Sequence, residues 1–172
     1  MFNNFKTITI MELKSIVAHY ATRNEKGVEI DLERLSQDKK FRSEVVNAVV
    51  KRVSKIPHVC IVFPSFKSGE SDKLLGSLIN ELALTLQFES LVTGNLEQIK
   101  NLRMPAENVI LIKHSFRNGK KLKEQIEEIK AQGCNVSVIC LIAHSGAKVE
   151  AFAHENNVTV EALVYTDEIN YI

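Results

Sequence analysis

The segment 113–119 concentrates side chains that donate hydrogen bonds to anions. It reads Lys113-His114-Ser115-Phe116-Arg117-Asn118-Gly119 and lies between an apolar strand-like run and a segment with helical periodicity. The first turn of a helix presents unpaired backbone N–H groups and the positive end of the helix dipole, so a phosphate fits this position. We predict that a phosphate group is bound by Ser115, Arg117, Asn118, Gly119 and Lys120. The alternative is a solvated surface turn whose cations bind no ligand.

The segment 64–69 is a second candidate anion site. It follows the apolar run 59–63 and supplies two hydroxyl groups, an ammonium group and a glycine. Such side chains, together with the N–H groups of a turn, suit an anion such as pyrophosphate. The candidate contacts are Ser65, Lys67, Ser68 and Gly69. The alternative is an ordinary connection between a strand and a helix.

Other chemistries lack their motifs. A Walker A loop requires glycine and Ser or Thr where this sequence has His114 and Lys121, and neither G-x-G-x-x-G nor G-x-S-x-G occurs. Three further histidines, His58, His144 and His154, lie too far apart to show metal-ligand spacing. We therefore predict no metal site and assign no catalytic residue, and we expect a structural or surface role for His114.

The composition is typical of a soluble globular protein. The chain has 172 residues, of which 45% are hydrophobic, and its net charge of +1 makes a nucleic-acid partner unlikely on bulk electrostatics. The odd number of cysteines (Cys60, Cys134 and Cys140) and the lack of a CxxC pair predict reduced thiols that fill the core of a cytoplasmic protein. The sequence contains no signal-peptide pattern and no apolar stretch that would span a bilayer, so we expect no contact with a membrane.

Short β-branched runs alternate with segments of helical periodicity along the chain. Strands are predicted at 27–31, 59–63, 88–92, 109–112, 136–142 and 158–164, and helices at 8–20, 41–53, 71–86, 96–102, 120–132 and 147–156. This order predicts one α/β domain, residues 1–172, with a central, mostly parallel sheet flanked by helices. Ligands of such sheets bind beyond the carboxyl ends of the strands, which here means 64–70, 93–95, 113–119 and 143–147.

Three stretches of the chain resemble the orotate phosphoribosyltransferases. Residues 28–38 resemble the family's early strand and its entry into a helix, and residues 59–86 resemble its pyrophosphate-loop strand and the following helix. Residues 109–169 resemble the segment from the motif for phosphoribosyl pyrophosphate (PRPP) to the terminal strand. The resemblance implies a phosphoribosyltransferase-like fold, a homodimer, a link to pyrimidine biosynthesis, and magnesium only where PRPP is bound.

The PRPP motif departs from the family pattern at its functional positions. In the family, two acidic residues hold the ribose hydroxyls and a Thr-Thr-Gly-type loop binds the 5′-phosphate. Here Lys113 and His114 replace the acidic pair, and Arg117 and Asn118 replace the threonines. Lys113 cannot accept a hydrogen bond. Losing two charge-assisted hydrogen bonds costs roughly 3–6 kcal/mol, which weakens binding by about two to four orders of magnitude.

The segment that corresponds to the family's mobile catalytic loop is also depleted in cations. Residues 89–108 carry only Lys100 and Arg103. Electrostatic stabilisation of departing pyrophosphate is therefore expected to be poor.

These departures predict a protein that has lost ordinary transferase activity but binds a phosphate-bearing ligand, a nucleotide or PRPP, in a regulatory or partner-binding role. The first alternative is an active enzyme that forms orotidine 5′-monophosphate from orotate and PRPP with magnesium. It would need replacement ribose ligands, such as Glu70 or Asp72 from the neighbouring loop. The second alternative is a structural or interaction subunit that binds no small molecule.

Overall fold

The computed structural model describes residues 3–25, 27–57, 59–63, 70–86, 91–93, 107–116 and 119–169. Its elements in chain order are α1 (Asn3–His19), β1 (Ala21–Asn24), β2 (Gly27–Ile30), α2 (Leu32–Gln37), α3 (Lys39–Val53), β3 (Val59–Val62), α4 (Glu70–Thr85), β4 (Leu91–Thr93), β5 (Asn108–Phe116), α5 (Lys120–Lys130), β6 (Asn135–Ala143), α6 (Gly146–Glu155), β7 (Thr159–Tyr165) and a 3₁₀ turn at Thr166–Glu168.

The central sheet has five parallel strands in the order β4-β3-β5-β6-β7. β1 and β2 pair with each other as a separate antiparallel hairpin. The prediction of an α/β fold with a mostly parallel sheet and flanking helices is confirmed. The hairpin partner β1 and the short helix α2 were not predicted, because neither has a run of apolar residues.

Helices cover both faces of the sheet. Because successive side chains of a strand point to opposite sides, each strand contributes to the apolar clusters on both faces. In β3, Val59 and Ile61 belong to the apolar cluster that α1–α4 complete, whereas Cys60 and Val62 belong to the cluster of α5 and α6. All four residues of β3 are buried. A strand buried in this way reads as a continuous apolar run, and the predicted strand at 59–63 is confirmed.

β3 and β5 are neighbours in the sheet, and the chain adds its next strand on opposite sides of this pair. From β3 the chain crosses to β4 on one side, and from β5 it crosses to β6 on the other side. In open parallel sheets, the crevice beyond the carboxyl ends of the two strands at such a switch point is the usual place for a ligand. In the sequence, the segments 64–69 and 117–118 follow these two strands, and both segments lie outside the described residues.

The boundary predicted at the end of β5 is wrong. The sequence predicts a strand at 109–112 followed by a loop at 113–119, but β5 continues through Phe116. Lys113 pairs with Cys140 of β6, and Ser115 pairs with Ile142. The ladder with β6 holds the backbone of this segment extended, so its polar composition does not end the strand.

Asp38 follows α2 and connects it to the start of α3 and to Tyr20, which follows α1. Its Oδ1 accepts a hydrogen bond of 2.9 Å from the Phe41 N–H at the start of α3, and its Oδ2 accepts one of 2.9 Å from the Tyr20 hydroxyl. The Phe41 N–H contributes most to a pKa of Asp38 that lies below its ordinary value of 3.8. A lowered carboxyl pKa stabilises the fold above the ordinary value, and this contribution is lost as the pH falls through the folded-state pKa.

Asp38→Ala should therefore lower the free energy of unfolding at pH 7 by about 1–2 kcal/mol and flatten the acid limb of the stability curve. Urea unfolding between pH 2 and pH 7 measures both effects. Asp31→Ala is the matched control, since exposed Asp31 accepts from the Arg34 N–H at 3.0 Å at the start of α2. An equal loss in both variants would contradict the double role of Asp38.

Candidate phosphate-binding site

The predicted site residues fall partly outside the described part of the chain. Arg117 and Asn118 lie outside it, and so do the predicted pyrophosphate contacts Ser65, Lys67, Ser68 and Gly69. Ser115, Gly119 and Lys120 are described. Ser115 is half-buried in β5, Gly119 is buried, and Lys120 is the exposed first residue of α5.

Gly119 is the N-cap of α5 and has a left-handed backbone conformation, with φ of +69°. Its carbonyl oxygen accepts a hydrogen bond of 2.8 Å from the Lys123 N–H, which closes the first turn of the helix. Glycine has no side chain with which to cap that turn. The first N–H groups of α5 are therefore offered to an acceptor from elsewhere, as an anion site requires.

Phe152 of α6 fixes the position of Gly119. A Cβ atom placed on Gly119 would lie 2.5 Å from Phe152 Cδ2 and in still closer contact with Cε2. The same ring packs edge-on against Phe116, with ring centroids 5.3 Å apart and an interplanar angle of 68°. One buried side chain thus touches the residues on both sides of segment 117–118.

The strands bring Phe116 to this ring by departing from strict alternation. Cys140 and Ala143 of β6 both belong to the α5/α6 cluster although they are three residues apart, and so do Ala162 and Tyr165 of β7. Phe116 lies beside Ala143 in the ladder and joins the same cluster. The strands therefore change face together near their carboxyl ends.

Lys113 does not extend into a loop beyond the sheet. Its residue exposure is only 7%, and its Nζ donates a hydrogen bond of 3.2 Å to Gln125 Oε1 on α5. Burial lowers the pKa of Lys113, and burial raises the pKa of its ladder neighbour Cys140 to about 12. His114, the second residue at the predicted ribose-binding positions, is half-buried in the same strand.

The charge around the start of α5 is positive. Lys120 and Lys121 are exposed in its first turn, and the described residues of β5 and of this turn include no carboxylate. Further along the helix, Lys123 Nζ lies 3.9 Å from Glu127 Oε1, which is an exposed i,i+4 pair. The arrangement suits an anion, and these described residues supply no carboxylate that could accept hydrogen bonds from ribose hydroxyls.

His144 was not among the predicted site residues, although the segment 143–147 that contains it was predicted to lie where ligands bind. It follows the carboxyl end of β6, its ring is exposed, and its Nδ1 lies 3.0 Å from the hydroxyl oxygen of buried Thr166. In the sequence, His144 was weighed only for metal-ligand spacing. The structure places it directly after the buried carboxyl end of β6.

No group of three or more His, Cys, Asp or Glu side chains among the described residues is arranged to hold a metal ion. None of the helices in the described ranges is long and apolar enough to cross a membrane.

Comparison with solved structures identifies the fold. The chain is similar to a phosphoribosyltransferase from Corynebacterium diphtheriae, with 11% identity, a TM-score of 0.62, and coverage of 94% of this chain and 98% of the other. It is similar to the orotate phosphoribosyltransferase from Mycobacterium tuberculosis in complex with PRPP, with 10% identity, a TM-score of 0.62, and coverage of 95% and 92%. It is also similar to an APRTase from Giardia lamblia complexed with 9-deazaadenine, with 13% identity, a TM-score of 0.60, and coverage of 89% and 96%.

This protein therefore has the phosphoribosyltransferase fold, as the resemblance of its sequence implied. A scan against protein-family models and a search of curated proteins both returned no match to the chain. These similar structures include one named for orotate and one complexed with 9-deazaadenine. The fold alone therefore does not indicate which nucleobase a protein that has it would bind.

Proposed function

We propose that this protein binds a phosphate-bearing ligand, a nucleotide or PRPP, at the carboxyl end of β5 and the start of α5, and that it has weak or no transferase activity. The position of Lys113 carries the proposal. The Lys113 ammonium group is buried and hydrogen-bonded to Gln125. The sequence resemblance implies that Lys113 takes the place of an acidic residue of the orotate phosphoribosyltransferases. The ammonium group supplies no acceptor for a ribose hydroxyl or for magnesium.

The phosphate half of the motif keeps the features that an anion needs. Gly119 supplies the left-handed turn, α5 supplies N–H groups and the positive end of its dipole, and Lys120 adds a cation. Binding that depends on these groups does not require magnesium. We propose a regulatory or partner-binding role for the bound form, in a cytoplasmic homodimer.

An active orotate phosphoribosyltransferase is the second candidate, since the fold is shared with such an enzyme bound to PRPP. It would need other ribose ligands. Glu70 and Asp72 were the expected replacements from the loop after β3, but both belong to the first turn of α4, and their side chains lie outside the described part of the chain. We place the transferase second because Lys113 supplies no acceptor for a ribose hydroxyl.

Calorimetric titration with PRPP, with and without magnesium, tests the proposal. We expect a dissociation constant in the micromolar range in both conditions and a loss of at least about tenfold in affinity for Arg117→Ala, because one charge-assisted contact is worth about 1.5–3 kcal/mol. Lys51→Ala is the control. It removes an exposed cation near the end of α3, which precedes the amino end of β3.

Two results would contradict the proposal. Absence of heat at millimolar PRPP, together with unchanged thermal stability across a panel of phosphates and nucleotides, would support a purely structural or interaction subunit. Binding that requires magnesium would support the active enzyme, because the metal would then have ligands that this account does not include.

A further inference from the structure

We propose that Phe152 is a positioning residue that holds the start of α5 in the position needed for binding. The ring belongs to α6, which follows β6 in the chain. Its contacts with the end of β5 and the start of α5 are therefore made between residues that are distant in sequence. It touches Phe116, the last residue of β5, and Gly119, the N-cap of α5. For its effect on a ligand, this inference depends on the proposed function.

The contacts at the two ends are of different kinds. At Phe116, the ring makes an edge-on aromatic contact with a centroid distance of 5.3 Å, which fixes where the strand ends. At Gly119, the ring edge fills the space that a Cβ atom would occupy. Only glycine satisfies both this close approach and the φ of +69°, so the ring and the glycine define one local geometry.

The consequence is a helix whose first turn starts at a fixed point. The Lys123 N–H reports on that turn, since its hydrogen bond to the Gly119 carbonyl, 2.8 Å long, is the first of α5. The Ala131 N–H, bonded to the Glu127 carbonyl at 2.9 Å, reports on the far end of the same helix. A loss of the ring contact should loosen the first reporter and spare the second.

Phe152→Leu tests this inference by hydrogen exchange and by titration with PRPP. We expect exchange of the Lys123 amide to accelerate by about three- to tenfold relative to the Ala131 amide, and the affinity for PRPP to fall by a similar factor. Val149→Ala is the matched control, because Val149 is buried in the same cluster on α6 but is not among the nearest neighbours of Gly119. It should lower the unfolding temperature while leaving the exchange ratio and the affinity unchanged.

Phe152→Met, which keeps most of the side-chain volume, replaces the leucine variant if the latter folds poorly. Equal acceleration at both amides, or the same exchange ratio in the Val149→Ala control, would overturn the inference. So would a changed ratio with unaltered affinity for PRPP. If the unmodified protein binds no PRPP, the proposed function fails, and the exchange ratio alone still decides whether Phe152 positions the turn.

Discussion

Gly119→Ala should destabilise the protein by about 2–4 kcal/mol, whereas Gly133→Ala should cost only about 1 kcal/mol. Both glycines have positive φ, +69° at Gly119 and +82° at Gly133, so both substitutions pay for a left-handed conformation. They differ in their surroundings. A methyl group on Gly119 meets the ring of Phe152, and a methyl group on Gly133 has open space for 4 Å around it.

Urea unfolding of the two variants measures the difference between these costs, which isolates the contact with Phe152 from the backbone strain. Gly119→Ala should also abolish detectable binding of PRPP, because the first turn of α5 moves with residue 119. Equal destabilisation by the two substitutions would mean that the Phe152 ring yields without cost, and would leave the positive φ as the reason for a glycine at the start of α5.

Lys113→Asp should destabilise the fold by about 3–5 kcal/mol and should not restore transferase activity. The substitution restores the acidic residue type of the orotate phosphoribosyltransferases, but places a carboxylate at a site that is only 7% exposed and opposite Cys140. Lys113→Met is the control. It loses the hydrogen bond to Gln125 and also the buried charge, so its free energy of unfolding should stay within about 1.5 kcal/mol of the unmodified protein.

The pH dependence of the Lys113→Met comparison has a definite sign. Burial lowers the pKa of Lys113 below its ordinary value of 10.5, so in the window between the two values the unfolded chain binds more protons than the folded one. The cost of the buried charge is therefore fully present at neutral pH and declines as the pH rises through that window. Urea unfolding at pH 7 and pH 9.5 should show the unmodified protein gaining stability relative to Lys113→Met, and a constant difference would contradict a buried charge at Lys113.

The fold could be predicted from sequence where apolar runs are continuous. The run at 59–63 is buried as expected, because a strand with an apolar layer on each face is apolar at every position. Phe41, Val45 and Val49 are buried as expected, because a helix with one apolar neighbour needs a single apolar stripe. The end of β5 could not be predicted in this way. Lys113 and Ser115 are strand residues because β6 pairs with them, and ladder pairing leaves no periodicity in the sequence of the strand itself.

The position of the candidate site stays a prediction, because most of its residues lie outside the described part of the chain. The segments 64–69 and 117–119 follow β3 and β5 in the chain, and these two strands are neighbours in a strand order that neither segment encodes. The contact between Gly119 and Phe152 could not be predicted from the sequence. The two residues are 33 positions apart, and a glycine in a sequence does not indicate which residue packs against it. His144 was assigned no site role from the sequence, although the segment 143–147 that contains it was predicted to lie beyond the carboxyl end of a strand.

Phosphorus NMR of PRPP and magnesium with the protein in excess, recorded before and after addition of orotate, tests the central claim most directly. The account predicts that the protein shifts or broadens the PRPP resonances and that pyrophosphate appears at the same slow rate with and without orotate. Orotate-dependent growth of the pyrophosphate signal would contradict the loss of transferase activity. PRPP resonances that the protein leaves unchanged would contradict the phosphate-binding site.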